Sequence, residues 1–156
     1  MKRAWIGLGA NLGDPPAQLR TALDLIAGLG ELQAVSPFYR SAPMGPADQP
    51  DYCNAVCRLA TALAPAQLMQ QLLAIERRMG RVRSRKWGAR TIDLDLLHVE
   101  GESCDTAELV LPHPGIAARN FVLVPLAELD PELVIPGLGR VVELSDRLGR
   151  ADLAPW

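Results

Sequence analysis

Apolar positions along this chain fall into two rhythms. From Arg3 to Ala10 a short apolar run ends in small residues and predicts a buried first strand. Asn11-Leu12-Gly13-Asp14-Pro15 is turn chemistry, and Pro16 can open a helix. Leu19, Ala22, Leu23, Ile26 and Ala27 then recur at helical spacing, predicting a helix from Gln18 to Leu29 that Gly28 and Gly30 stop. Leu32 to Tyr39 predicts a second strand and Tyr52 to Thr61 a third. Between them Ser41 to Asp51 contains Pro43, Gly45, Pro46 and Pro50, a loop whose length suits binding better than simple connection. Pro65 opens a long helix with the stripe Leu68, Met69, Leu72, Leu73, Ile75 and Met79, ending at Gly80. Arg81 to Ala89 predicts a second long loop, and Ile92 to Val99 a fourth strand. Beyond lie the turn Leu111-Pro112-His113-Pro114, a helical stretch from Val122 to Leu129, a short run from Leu133 to Ile135, and a polar helix from Arg140 to Arg150.

Strand, helix, strand, strand, helix, strand is the order of a ferredoxin-like α+β sandwich, a βαββαβ core with an antiparallel sheet and C-terminal additions. The 156 residues suit one domain spanning 1–156. Hydrophobic residues make up 49% and charged residues 22%, which excludes disorder. A net charge of −2 argues against a molecule built as a whole to bind nucleic acid or a membrane surface. No stretch approaches the roughly 18 apolar residues of a membrane span. The start Met1-Lys2-Arg3 imitates a signal peptide weakly, but Asn11, Asp14, Pro15 and Pro16 interrupt it, so a cytoplasmic protein is expected. Cys53, Cys57 and Cys104 have no paired zinc spacing. Four residues along a strand would separate Cys53 from Cys57 by about 13 Å, too far for a disulfide, so buried free thiols are expected.

Chemistry concentrates in three places. Strand alternation sends Ile92, Leu94 and Leu96 to one face and Asp93 and Asp95 to the other, with the two carboxylates about 7 Å apart. Such a pair ionises comfortably only beside positive charge, and its oxygens suit magnesium, which commonly takes one or two carboxylates plus substrate phosphates. Taken alone, the pair reads more readily as a solvated strand face carrying two acids. Just before it, Arg77, Arg78, Arg81, Arg83, Arg85, Lys86 and Arg90 supply seven of the chain's 16 basic residues with no acid among them. Arginine forks grip phosphate oxygens, and a cationic loop running into two metal-binding acids is the pairing phosphate transfer needs. A solvated helix end, or a nucleic-acid contact with Trp87 stacking, is the competing reading, though aromatic content is only 4%. Tyr52 and Asn54 share a strand face after the Pro-rich loop. With Phe121 they could clamp a flat heterocycle and read its edge, or simply be core. His113 stands six residues before Arg119 and could touch phosphate, whereas His98 alternates with Leu94 and Leu96 and is expected to be a satisfied core or edge histidine. No Gly-x-x-x-x-Gly-Lys motif occurs, and Gly7, Gly9 and Gly13 miss the dinucleotide-binding register. The residues by themselves leave open a metal-dependent phosphoesterase or nuclease, or a nucleotide- or RNA-binding module.

Several segments together resemble the 6-hydroxymethyl-dihydropterin pyrophosphokinase family of folate biosynthesis: Gly9-Ala10-Asn11-Leu12-Gly13, Ser36-Pro37-Phe38-Tyr39-Arg40-Ser41-Ala42-Pro43-Met44-Gly45, Gln49-Pro50-Asp51-Tyr52-Cys53-Asn54-Ala55, Glu76-Arg77-Arg78-Met79-Gly80-Arg81, and most specifically Trp87-Gly88-Ala89-Arg90-Thr91-Ile92-Asp93-Leu94-Asp95, with Pro112-His113, Arg119 and Phe121 after it. The resemblance implies transfer of pyrophosphate from ATP to the pterin hydroxymethyl group, giving AMP. It implies two magnesium ions on Asp93 and Asp95, and Arg81 and Arg90 stabilising the moving group. It places Arg83, Trp87, Arg90, His113 and Arg119 on ATP, with Glu76 on the nucleotide side. Tyr52 and Phe121 would sandwich the pterin, Asn54 would read its edge, and Ser41, Pro43 and Met44 would form its rim. The expected partners are these two small molecules, with no nucleic acid and no membrane, and a monomer suffices. The two long loops are expected to close as a lid over ATP. Three features depart from the family pattern: the arginine loop is one residue shorter, leaving Ser84, Arg85 and Lys86 unassigned, Pro114 replaces an aromatic residue, and Leu73 replaces a polar one.

Overall fold

Alternation on three central strands decides the architecture. A computed structural model describes residues 1–43, 49–80 and 91–156. In chain order the elements are β1 (Lys2–Ala10), α1 (Pro15–Ala27), β2 (Glu31–Val35), β3 (Tyr39–Ser41), β4 (Tyr52–Thr61), α2 (Pro65–Arg78) and β5 (Asp93–Val99). Then come β6 (Cys104–Asp105), β7 (Val110–Leu111), a 3-10 turn at Ile116–Ala118, α3 (Asn120–Leu129), β8 (Val134–Ile135), β9 (Gly139–Arg140), α4 (Val141–Leu148) and β10 (Leu153–Pro155). The main sheet runs β10-β3-β4-β1-β5, with β2 also on β4, and every pairing is antiparallel. This is the ferredoxin-like α+β sandwich the element order predicts.

Ala4, Ile6, Leu8 and Ala10 of β1, with Cys53, Ala55, Cys57 and Leu59 of β4, face α1 and α2. There they meet Leu19, Ala22 and Ile26 of α1 and Leu68 and Leu72 of α2. The opposite face carries a second, smaller core in which Trp5, Val56 and Leu97 pack under Val122, Leu123 and Leu126 of α3. Each fully buried aliphatic side chain contributes about 1.5–3 kcal/mol, so both layers hold the sheet. α1 begins four residues after Asn11: Asp14 caps it by accepting from the Ala17 N–H at 3.2 Å, and Pro15 and Pro16 occupy its first turn. Gly30 leads into β2 where a Cβ would lie 2.2 Å from the Ala60 carbonyl oxygen, so only glycine lets the two strands approach.

Four expectations change. The strand predicted from Leu32 to Tyr39 is split into β2 and β3, because Pro37 has no N–H for the ladder. At the break Ser36 substitutes its own groups: its N–H donates to the Val56 carbonyl, and its Oγ accepts from the Val56 N–H, each at 2.9 Å. A register shift opposite Trp5 and Ile6 pairs Ile6 with Leu96 but Trp5 with His98, so His98 leaves the Leu94 and Leu96 face and stacks on Trp5, ring centroids 5.4 Å apart. Its Nδ1 is buried with no hydrogen-bond partner among the described residues, so the ring is not the satisfied histidine expected. Burial lowers its pKa. The polar helix expected from Arg140 to Arg150 is present as α4 but ends two residues early, at Leu148, where Gly149 at φ 83° stops it; β10 then follows as an element the sequence reading did not include. Cys53 and Cys57 are buried free thiols as expected, but Cys104 on the β6–β7 hairpin is only half-buried. Among the described residues no helix is long and apolar enough to cross a membrane.

Candidate active site

The α3 side of the sheet is not filled to its end. Where α3 begins, a cleft of about 100 Å³ opens over β4, β1 and β5. Its floor follows from register: Gly9 lies between Asn54 of β4 and Asp93 of β5, and Gly7 lies opposite Asp95. Two residues without side chains therefore separate the acid pair from Tyr52 and Asn54. The sequence marks this only as a strand running into small residues. A Cβ on Gly9 would come 3.1 Å from Asn54 Oδ1, so the bare backbone creates the space.

Asp93 and Asp95 both line the cleft, while Ile92, Leu94 and Leu96 are buried on the helix side, as the alternation of the segment predicts. Glu76, near the end of α2, is only 3% exposed and sits beneath this strand. Its Oε2 accepts from the Leu94 N–H at 2.8 Å, which fixes the backbone between the two aspartates from behind, and it does not line the cleft. Across from the acids, Arg119 Nη1 lies 3.6 Å from Asp95 Oδ2, and His113 Nε2 lies 3.9 Å from Asp95 Oδ1. The His113 N–H donates to the Leu97 carbonyl at 2.8 Å, tying its turn to β5. His113 Nδ1 accepts from the Gly115 N–H at 2.9 Å, so in the neutral ring the proton is on Nε2, the nitrogen turned toward Asp95. Burial and then the Arg119 charge hold this imidazole below its usual pKa, with Asp93 opposing. Arg119 itself lies against Gly115, where a Cβ would stand 2.7 Å from its Cζ.

At the other end of the cleft, Asn54 Nδ2 donates to Ser41 Oγ at 2.6 Å, with both residues buried. Tyr52 and Phe121, each half-buried, complete this end, with Ala42 beside Ser41. Pro43 is half-buried and does not line the cleft, although it follows Ala42 directly. Asn11 Nδ2 donates to Gln49 Oε1 at 3.0 Å and to the Pro50 carbonyl at 2.9 Å, fastening the end of β1 to the chain entering β4. Sequence reasoning missed Gly7, Gly9 and Gly115, whose contribution is the space they leave. Met44, Arg81, Arg83, Trp87 and Arg90 lie outside the described residues, and with them the arginine loop, its three unassigned residues and the middle of the other loop expected to form the lid.

Among the described residues no group of three or more His, Cys, Asp and Glu side chains could hold a metal ion. The acid pair has the oxygen-only donors of a hard cation that shares its coordination with substrate oxygens, and lacks the nitrogen or sulfur donors zinc prefers. Opposed charges at one end and aromatic rings at the other are what an enzyme joining a phosphate donor to a flat acceptor requires.

Comparison with known proteins agrees. The family described as 7,8-dihydro-6-hydroxymethylpterin-pyrophosphokinase (HPPK) matches residues 5–131. The chain is 45% identical over 146 residues to the 2-amino-4-hydroxy-6-hydroxymethyldihydropteridine pyrophosphokinase of Haemophilus influenzae, covering 92% of this chain and 91% of that one. It is 47% identical over 146 residues to the protein of the same name from Pseudomonas aeruginosa, covering 92% and 90%. Among solved structures, an HPPK-DHPS in complex with substrates superposes with a TM-score of 0.72 at 15% identity, over 94% of this chain. The Plasmodium falciparum wild-type HPPK-DHPS with STZ-DHP gives 0.71 at 12%. This chain spans only 43% of each of those two chains, and at such identity the likeness is one of fold. The chain belongs to the HPPK family.

Proposed function

We propose that this protein transfers the terminal pyrophosphoryl unit of ATP to the hydroxymethyl group of 6-hydroxymethyl-7,8-dihydropterin, a step in folate biosynthesis. The observation that carries the reading is the cleft itself: Asp93, Asp95 and Arg119 line it together with Tyr52, Asn54 and Phe121, and His113, which does not line it, approaches Asp95 to 3.9 Å. The pterin hydroxyl gives up its proton to solvent and attacks the β-phosphorus, and the bond from that phosphorus to the oxygen it shares with the α-phosphorus breaks. AMP leaves, and the pterin carries the diphosphate. Asp93 and Asp95 would hold two magnesium ions, which when bound supply charge neutralisation on the phosphates and acidify the attacking hydroxyl. Arg119 and the Nε2–H of His113 would bind phosphate oxygens, joined by Arg81, Arg83, Trp87 and Arg90. Glu76 would serve the nucleotide side indirectly, by holding β5. Tyr52 and Phe121 would enclose the pterin ring and Asn54 would read its edge, with Ser41, Pro43 and Met44 at the rim.

The test is to incubate protein, ATP, magnesium and hydroxymethyl-dihydropterin and identify the nucleotide released. AMP that appears only when pterin is present supports the proposal. ADP, or hydrolysis without pterin, overturns it. Asp95→Ala should abolish turnover while circular dichroism stays unchanged, and a folded, active variant would remove the metal assignment.

A further inference from the structure

The two walls of the cleft's pterin end belong to different parts of the fold. One is Ser41, at the end of the three-residue strand β3; the other is the start of α3, where Phe121 follows Asn120. One short segment touches both. β10 pairs with β3 so that Leu153 lies opposite Ser41, and the Trp156 N–H donates to the Phe38 carbonyl at 3.1 Å. Two residues before Leu153, the Ala151 carbonyl accepts from Asn120 Nδ2 at 2.8 Å. Arg150 Nη2 donates to Tyr39 Oη at 3.1 Å and to Glu128 Oε1, near the far end of α3, at 3.2 Å, so this side chain ties β3 to the same helix whose start Asn120 holds. At the far end the Arg40 guanidinium lies 3.8 Å from the centroid of the Trp156 ring. The turn that makes this possible runs through Asp152 at φ 60°, and the Leu153 N–H closes it on the Arg150 carbonyl at 3.1 Å.

We infer that residues 150–156 act as a clip that fixes the separation between β3 and the start of α3, with Asn120 and Arg150 as positioning residues for the flat substrate. Neither needs to touch that substrate. β3 is too short to be held by its single inner neighbour alone, since it offers β4 only three residues. Ser41 in turn accepts the Asn54 amide hydrogen, so movement of β3 is passed to the residue that would read the pterin edge. The inference rests on the pterin placement proposed above.

Steady-state kinetics of Asn120→Asp, which keeps the shape of the side chain and loses its donor, provide the test. The expected result is a pterin KM raised about fivefold, the loss of one hydrogen bond's worth of positioning. The ATP KM should stay within about twofold on the same basis, and the melting temperature should be nearly unchanged. Asn120→Gln, which restores a donor, should recover part of the loss. Arg150→Ala should raise the pterin KM too, and the double variant less than the two effects combined, because both ties act through one segment. Should Asn120→Asp fail to fold, Trp156→Ala at an exposed ring carries the same expectation from the β3 end. An unchanged pterin KM in folded variants, or equal rises in both KM values, would overturn the clip alone. If the unsubstituted chain releases no AMP, the proposed function falls and the clip's role with it.

Discussion

Gly9 offers the sharpest test of how the cleft is built. Its backbone is extended, so alanine fits the conformation, and the only obstacle is what the new methyl group meets. A Cβ there stands 3.1 Å from Asn54 Oδ1 and 3.7 Å from Tyr52 Cδ1. Ordinary contact begins near 3.4 Å, so Asn54 must retreat by a few tenths of an ångström. It has little freedom to do so, because its Nδ2 is already 2.6 Å from Ser41 Oγ and its strand lies inside the sheet. Distorting that amide should cost about one hydrogen bond, roughly 1 kcal/mol, or about a fivefold rise in the pterin KM. Gly7→Ala is the comparison: it also adds a methyl group to the cleft floor, but there the nearest atom is a Leu97 methyl at 3.5 Å, an ordinary contact, so Asn54 is not displaced and the pterin KM should rise less. Both substitutions remove unfolded-chain freedom worth about 0.4–1 kcal/mol, so neither variant should melt at a markedly lower temperature. The assay is AMP release against pterin concentration at saturating ATP, with a thermal melt of each variant. Equal effects of the two alanines, or an unchanged KM for Gly9→Ala, would refute the reasoning.

Other expectations follow from the same contacts. Glu76→Ala leaves the buried Leu94 N–H without its acceptor and should cost about 1–3 kcal/mol in a denaturant titration, whereas Glu76→Gln keeps an oxygen there and should lose less. Gly115→Ala crowds only the flexible end of Arg119, so the melting temperature should hold while the ATP KM rises several-fold in steady-state assays. His98 is held below its usual pKa of 6.5, so between the folded and unfolded values the unfolded chain binds more protons. Stability from this group is therefore full above pH 6.5 and declines as pH falls below it; His98→Phe, which keeps a ring against Trp5, should flatten that slope in melts taken across pH.

What could be read from the sequence was local and periodic. The acid pair was legible because Asp93 and Asp95 alternate with buried leucines over several residues, and a period of two has one structural meaning. The stripe on α2 was legible through the other regular period, about 3.6 residues, that marks one face of a helix. Pairing partners are not written locally. β10 is three residues with no rhythm, and its place beside β3 exists only once the sheet has formed. The bulge that turns His98 onto Trp5 depends on how β5 meets β1, and an alternation rule carried straight through Leu97 puts the ring on the wrong face. Pro37 did signal the break between β2 and β3, but its neighbours read as one apolar run. The cleft floor was the hardest to foresee, because Gly7 and Gly9 act by what they omit.

The cysteines give this molecule two chemical clocks. Burial pushes the Cys53 and Cys57 thiols up to about 12, so at neutral pH neither offers an alkylating reagent a thiolate or a path to it. Cys104 is half-buried on a hairpin outside the main sheet, and does not line the cleft. A maleimide dye should thus mark one position on the native fold, and any slower second labelling would time the opening of the strand that carries Asn54.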